Sequence, residues 1–311
     1  MKTSTLKLVR GRTFVEVRIY EKAMKIIHAG KVARVIEYGE QCFLDCTNDV
    51  TAGNGKSRIT IPGMGEVRMR QAHVIWRYLQ EKGIHTCFTG GPREGTKIPI
   101  TRATALPLEV VVRFVADGSY AKSQRFPVGT PLETPVVEFF YKNDRLDDPL
   151  LFLKPGFFLP DTQIKVLDDW IHVLKAGTSQ HAGYASQLDL SLVGGTNGDI
   201  RSRFREMKNM ALQVGNLLKE LFARGLHELV DFKLEFGFNE QGDLILIDRI
   251  TGDEMRIYGW GISRNYFDKE IIRLFLKTNR GMTALSPEFS AEVFHRYNTV
   301  TDFLEGQVGS T

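Results

Sequence analysis

The chain has 311 residues, enough for one large domain or two lobes with ample apolar content for a core. Its net charge of +4 is mild; it suits small anionic ligands and falls well short of a nucleic-acid-binding surface. No apolar run approaches the roughly 20 residues that cross a bilayer, so neither nucleic acid nor membrane is an expected partner.

The first residues, Met1-Lys2-Thr3-Ser4-Thr5-Leu6-Lys7, lack the apolar stretch of a secretory signal. Cys42, Cys46 and Cys87 form no CxxC pair and no disulfide framework, so a reducing cytoplasm is the expected location. Residues 1–25 read as a basic, β-prone extension in which Val15, Val17 and Ile19 alternate with polar neighbours. A β-rich stretch continues to about residue 49, followed by the turn formers Thr51-Ala52-Gly53-Asn54-Gly55-Lys56. Residues 66–82 are predicted helical: Val67, Val74, Ile75, Tyr78 and Leu79 recur at helical spacing, and Gly83 stops the run. Residues 107–113 read as a buried strand because β-branched residues dominate them. Helical periodicity returns over 160–176 and 201–224, where Val214, Leu217, Leu218, Leu221 and Phe222 form an apolar stripe. The Gly-, Ser-, Thr- and Asn-rich stretch 177–199 reads as a loop or insertion.

The densest chemistry lies further on. In Val230-Asp231-Phe232-Lys233-Leu234-Glu235-Phe236-Gly237 apolar and charged residues alternate at strand spacing. Asn239-Glu240-Gln241-Gly242 then supplies a turn, and Asp243-Leu244-Ile245-Leu246-Ile247-Asp248 a second strand. Pairing the two would bring Glu235 and Asp248 together beside the ammonium of Lys233, a set suited to Mg²⁺ holding a polyphosphate.

The first strand, with the tail Asp248-Arg249-Ile250-Thr251-Gly252-Asp253-Glu254-Met255-Arg256, resembles the VDFKLEFG…DE-(I/F)-S-P-D-x-x-R signature of the SAICAR synthetase family. Further likenesses follow the family's order over about residues 25–260. Gly30-Lys31-Val32-Ala33-Arg34-Val35 resembles GKAKRV, and the stretch from Asn48 to Gly55 resembles the family's D-(I/T/V)-(T/S)-A-x-(N/D)-G loop. Pro107-Leu108-Glu109-Val110-Val111-Val112-Arg113-Phe114-Val115-Ala116-Asp117-Gly118-Ser119 resembles PLEVVVRNxAAGS, and the stretch from Tyr141 to Pro149 resembles YKxDxxHDP.

The resemblance implies an α+β, two-lobed, ATP-grasp-like fold with antiparallel sheets and the nucleotide between the lobes. Residues 1–25 would be an extension, 26–105 a smaller β-rich lobe, and 106–311 a larger lobe carrying the insertion near 177–199. The implied activity is an ATP- and Mg²⁺-dependent ligase joining a ribotide carboxylate to the amine of aspartate through an acyl phosphate, in purine biosynthesis. Gly30, Lys31, Arg34, Lys233, Glu235 and Asp248 would serve the nucleotide, with Glu235 and Asp248 holding the metal. Lys233, Lys31 and Asp148 would assist catalysis, while Arg113, Ser119 and Arg256 would clamp the sugar phosphate.

The chain departs from these motifs at several places. Ala33 replaces a lysine, Phe114 an asparagine, Asp117 an alanine, Asp147 a histidine and Gly252 a proline. Arg68-Met69 stands where the family has a polar asparagine pair. Arg249 replaces the glutamate that follows the metal-binding aspartate, and either points away by strand alternation or receives an additional carboxylate. Because these departures sit near the metal and the heterocycle, a paralogue using another ribotide acid or amine is the first alternative; a small-molecule kinase is the second. The partners implied are small-molecule substrates, with a homo-oligomer left open.

Overall fold

The computed structural model describes residues 3–10, 13–20, 24–52, 57–143, 145, 148–152, 172–174, 181–184, 190–197, 200–225, 227–259, 265–279 and 285–309. Strands β1 (Thr3–Arg10) and β2 (Thr13–Tyr20) form an antiparallel hairpin over the extension. Strands β3 (Met24–Ala29), β4 (Ala33–Tyr38) and β5 (Gln41–Cys46) follow as a meander. A small hairpin of β6 (Asp49–Ala52) and β7 (Ser57–Thr60) leads into helix α1 (Met64–Glu81). The predicted stripe of α1 is buried, and Gly83, at φ +80°, ends the helix with backbone bonds from Gly83 and Ile84 to Gln80 and Leu79. Strand β8 (Lys97–Ile100) then pairs with β5 and completes a four-stranded antiparallel sheet.

The larger sheet begins with β9 (Thr104–Ala116). After the short helix α2 (Gly118–Gln124) come β10 (Thr130–Tyr141), β11 (Leu150–Phe152), β12 (His172–Leu174) and β13 (His181–Tyr184). Helix α3 (Ile200–Ala223) precedes β14 (His227–Phe238), β15 (Leu244–Leu246), β16 (Met255–Gly259) and β17 (Asn265–Tyr266). Helices α4 (Glu270–Thr278) and α5 (Pro287–Val308) close the described chain; Ser286 caps α5 by accepting from the Phe289 N–H. The strand order is β13-β12-β11-β10-β9-β14-β16-β17, with β15 also on β14, and these neighbouring strands pair antiparallel throughout. The architecture is thus α+β, as the sequence implies.

Two expectations need correction. Residues 172–174 of the predicted 160–176 helix form strand β12, paired to β11. A short apolar run satisfies either periodicity, and an available sheet edge decides it; residues 160–171 and 175–176 lie outside the described residues. The predicted 177–199 loop contains strand β13 and a 3₁₀ turn over Ser191–Asn197.

Alternation along β9 and β14 creates two faces with different tasks. Leu108, Val110, Val112 and Phe114, with Val230, Phe232, Leu234 and Phe236, turn toward the core, where Val214, Leu218, Leu221 and Phe222 of α3 meet them. Each such buried side chain contributes about 1.5–3 kcal/mol. Strand β15 is buried on both sides: Leu244 and Leu246 join this core, while Ile245 joins a second cluster with Cys46, Trp76 and Phe88. Leu246 also bonds through its backbone to His85 and Cys87, so β15 lies between the large sheet and the segment after α1. Asp248 therefore emerges where the two clusters meet.

Candidate functional site

The other face of β9 and β14 carries the charges. Register places Glu109 opposite Glu235 and Arg113 opposite Asp231, with Lys233 opposite Val111 between them. β10 adds Glu138, and β16 adds Arg256 opposite Asp231. Like charges directly opposed across strands repel, so a cation between them is a structural requirement. Lys233 supplies it: its Nζ lies 2.7 Å from Glu109 Oε1 and 3.1 Å from Glu235 Oε1. Lys142, just after β10, bonds the other oxygen of Glu235. Burial alone would lower the Lys233 ammonium, but Glu235 and Glu109 outweigh it and hold the group protonated above the usual lysine range. Burial likewise opposes ionisation of Glu235, yet Lys233 and Lys142 hold its carboxyl down to about 2. This end of the face is a fixed ionic cluster with charge of both signs aimed at one place.

At the other end, Arg113 is buried with its guanidinium between Glu138 and Asp231, Nη1 lying 2.8 Å from Asp231. Arg256 also reaches Asp231, and its Nη2 lies 3.5 Å from Glu270. Asp117 caps α2 by accepting from the Gly118 N–H, and its Oδ2 stands 3.9 Å from Arg256 Nε. Ser119 is exposed in the first turn of α2, beside Gly118, whose backbone packs on the Arg256 guanidinium.

The remaining predicted residues fall as follows. Gly30 and Lys31 are exposed between β3 and β4, and the Gly30 N–H donates to the Ala33 carbonyl. Arg34 lies 2.6 Å from Asp45 and is committed to that ion pair. Asp148, at φ +44°, accepts from the Asn143 N–H and so closes its own loop. Asp248 accepts from the backbone and side chain of Arg249 at Oδ1. Asp147 and Gly53, Asn54 and Gly55 lie outside the described residues. Among the described residues no group of three or more His, Cys, Asp or Glu side chains forms a ready-made metal cage.

A family model described as SAICAR synthetase matches residues 26–155 and 194–286. The chain belongs to the SAICAR synthetase family. A phosphoribosylaminoimidazole-succinocarboxamide synthase of Staphylococcus aureus (strain JH9) is 33% identical over 252 residues, covering 80% of this chain and 91% of the relative. Among solved structures, a SAICAR synthetase in complex with ADP superposes with TM-score 0.67 at 26% identity, covering 90% of this chain and 98% of its own. The phosphoribosylaminoimidazole-succinocarboxamide synthase of Ehrlichia chaffeensis gives TM-score 0.67 at 25% identity, with the same coverage.

Against the SAICAR synthetase motifs, the departures take on structural meaning. Phe114, expected near the heterocycle, lies instead on the helix-covered face, stacked at 6.4 Å on Phe232 and against α3; strand alternation puts it opposite to Arg113. Arg249 does not point away. It is buried, 2.9 Å from Glu254, 3.1 Å from Asp248 and 3.8 Å from Asp253. Arg68, replacing a polar family position, is fully buried on α1 with Nε 3.0 Å from Asp253, and it donates to the carbonyls of Thr47 and Asp49. Burial dominates at Glu254 and pushes its carboxyl up to about 7, whereas at Asp253 burial is outweighed by Arg68, Lys269 and Arg249 together with the Tyr297 hydroxyl, which hold it low.

Two members of the cluster, Glu109 and Lys142, were absent from the expected site. Both stand in motifs read separately. Pairing those motifs as neighbouring strands aligns Glu109 with Phe140 and places Lys142 two residues further along.

Proposed function

We propose that this chain is an ATP-dependent carboxylate–amine ligase that joins the carboxylate of phosphoribosylaminoimidazole carboxylate to the amine of aspartate, giving SAICAR and ADP in purine biosynthesis. The observation that carries the reading is the Glu109–Lys233–Glu235–Lys142 cluster on the polar face of the central strands, within a chain of this family. Hydroxide is a poor leaving group, so the carboxylate must first be activated. Its oxygen attacks the γ-phosphorus, ADP leaves, and an acyl phosphate results; the amine then attacks the acyl carbon and phosphate departs. Such a sequence asks the protein mainly to position anions and compensate charge, which a fixed ionic cluster does without reorganisation.

In this reading Lys233 and Lys31, with Gly30 allowing close backbone approach, steady the polyphosphate. Arg34 stays with Asp45 and shapes the loop. Asp248 keeps Oδ2 without a partner among the described residues, while both oxygens of Glu235 face lysines. Two carboxylates of this kind fit Mg²⁺ that takes most of its ligands from phosphate and water. Glu235 and Asp248 would hold it, and it would supply charge neutralisation on the phosphates. Arg256 and Ser119 receive the sugar end, and Arg113 fixes Asp231 and through it Arg256. Residues 26–105 act as the smaller lobe and 106–311 as the larger, with the nucleotide between them, in the cytoplasm.

The test is ADP release by purified protein with Mg²⁺ and the ribotide carboxylate, scanned over twenty amino acids, with products weighed by mass spectrometry. Dependence on aspartate, with the matching mass gain, is expected. Turnover indifferent to any amine would make the protein a kinase, and turnover with another amino acid alone would rule out aspartate.

A further inference from the structure

The sugar end of the polar face holds more carboxylate than a phosphate subsite calls for. Arg113, Arg256 and Arg273 face Glu138, Asp231, Asp117 and Glu270, each within ion-pair distance of one of the three. Asp117 is itself buried, like Arg113, Glu138 and Asp231, and it lies directly before the exposed Gly118 and Ser119. It stands where the family motif has alanine, and it does two things that alanine cannot. It occupies the Gly118 N–H, and it brings a carboxylate oxygen 3.9 Å from Arg256 Nε.

Asp117 is also held in place. The Tyr258 hydroxyl donates to Oδ2, and the Tyr266 hydroxyl lies 3.3 Å from the same atom. Burial, and then Asp117, push the Tyr266 hydroxyl up to about 12 and that of Tyr258 higher, so both stay donors. A phosphate dianion is recognised by uncommitted N–H donors and by positive charge in excess; here the nearest backbone donor is taken and the charge is largely answered. Ser119 remains as a neutral hydroxyl donor at the mouth.

We propose that Asp117, fixed by Tyr258 and Tyr266, is a specificity-determining residue that lowers this subsite's preference for a phosphate dianion over an uncharged sugar hydroxyl. The inference rests on the reading of this end as the sugar subsite. The test is calorimetric binding, in the presence of Mg²⁺ and ADP, of aminoimidazole carboxamide ribotide and of its unphosphorylated riboside. The wild-type protein is expected to favour the ribotide by about tenfold or less, and Asp117→Ala to tighten the ribotide by about tenfold or more while the riboside changes little, the size expected for removing one nearby like charge. Asp117→Asn, which removes the charge and keeps the side chain's size, gives the same direction if the alanine variant fails to fold; ADP binding reports the fold. A wild-type preference of about a thousandfold, or a ratio unmoved by both substitutions, overturns the proposal. Failure of both probes to bind any of the proteins overturns it together with the sugar-end reading. If the ratio shifts as stated but no ligation occurs, the role of Asp117 stands and the proposed reaction falls.

Discussion

Replacing Lys233 with methionine isolates the central ionic cluster. Glu109 and Glu235 oppose each other across β9 and β14, and Lys233 Nζ lies 2.7 and 3.1 Å from them. Without the ammonium, two carboxylates about 6 Å apart at an effective dielectric of about 20 repel by about 3 kcal/mol. Lys142 stays on Glu235, but its side chain is 45% exposed and screened by water, so it relieves only part of this. Lys233→Met is therefore expected to lose about 3 kcal/mol in urea unfolding at pH 8.

The pH dependence gives the sharper check. In the wild type, Glu235 is held down to about 2, so its stabilisation is present above the usual glutamate value and is lost only as pH falls toward 2. In the variant, burial and Glu109 raise that carboxyl instead, so stability is lost as pH rises through the raised value. The gap between the proteins is widest at pH 8 and narrows toward pH 5. Adding Glu109→Gln to Lys233→Met is expected to recover most of the lost stability, whereas ligation, in which the proposed role of Lys233 needs the ammonium itself, is expected to stay about a thousandfold down. A gap below about 1 kcal/mol, or one equal at pH 5 and pH 8, would refute the argument.

Three further outcomes follow from single contacts. Arg249→Glu, which restores the family residue, puts another acid among Asp248, Asp253 and Glu254 and is expected to cost about 3–5 kcal/mol in chemical denaturation, without gain in ligation. Gly118→Ala meets a backbone at φ +55° and places Cβ 2.8 Å from Arg256 Nη2; a loss of about 1–2 kcal/mol is expected in thermal unfolding, with weaker ribotide binding by calorimetry. The Cys46 and Cys87 thiols are buried and pushed up, Cys46 to about 12, so neither should label with an aromatic disulfide at pH 8 until urea unfolds the chain, as peptide mass mapping would show.

Much of this arrangement is legible in the sequence, for a definite reason. The alternation of Val230 to Gly237 sorts Phe232, Leu234 and Phe236 from Asp231, Lys233 and Glu235, and the fold keeps that sorting because one face must meet α3. The same alternation applied to residues 107–119 would have sent Phe114 to the core and kept it out of the site. What alternation conceals is that the charged face is buried too: Asp231 and Glu235 are enclosed, since β9 and β16 flank the strand and the ion pairs fill the other side. Glu109 and Lys142 stayed hidden because their significance arises from strand pairing, which brings Glu109 to Lys233 across 124 positions and Lys142 to Glu235 across 93.

The departures from the family motifs are better read as pairs than as points. Asp117, alone, is an acid beside the proposed phosphate subsite; with Tyr258 and Tyr266 it is a held acceptor. Arg249, alone, is a charge reversal beside the proposed metal ligand Asp248; with Glu254 and Asp253 it is half of a buried network that Arg68 completes from α1. A buried charge without its partner costs several kcal/mol, more than a marginally stable chain can absorb, so such residues change together or not at all. Reverting one of them therefore tests the pair rather than the position. Arg249→Glu should fail for that reason, and the informative comparison is Arg249→Glu combined with Glu254→Gln. If that double variant regains stability, measured by urea unfolding against each single variant, the two positions are coupled as the geometry requires. If their effects simply add, Arg249 and Glu254 act independently and the pairwise reading of the departures is wrong.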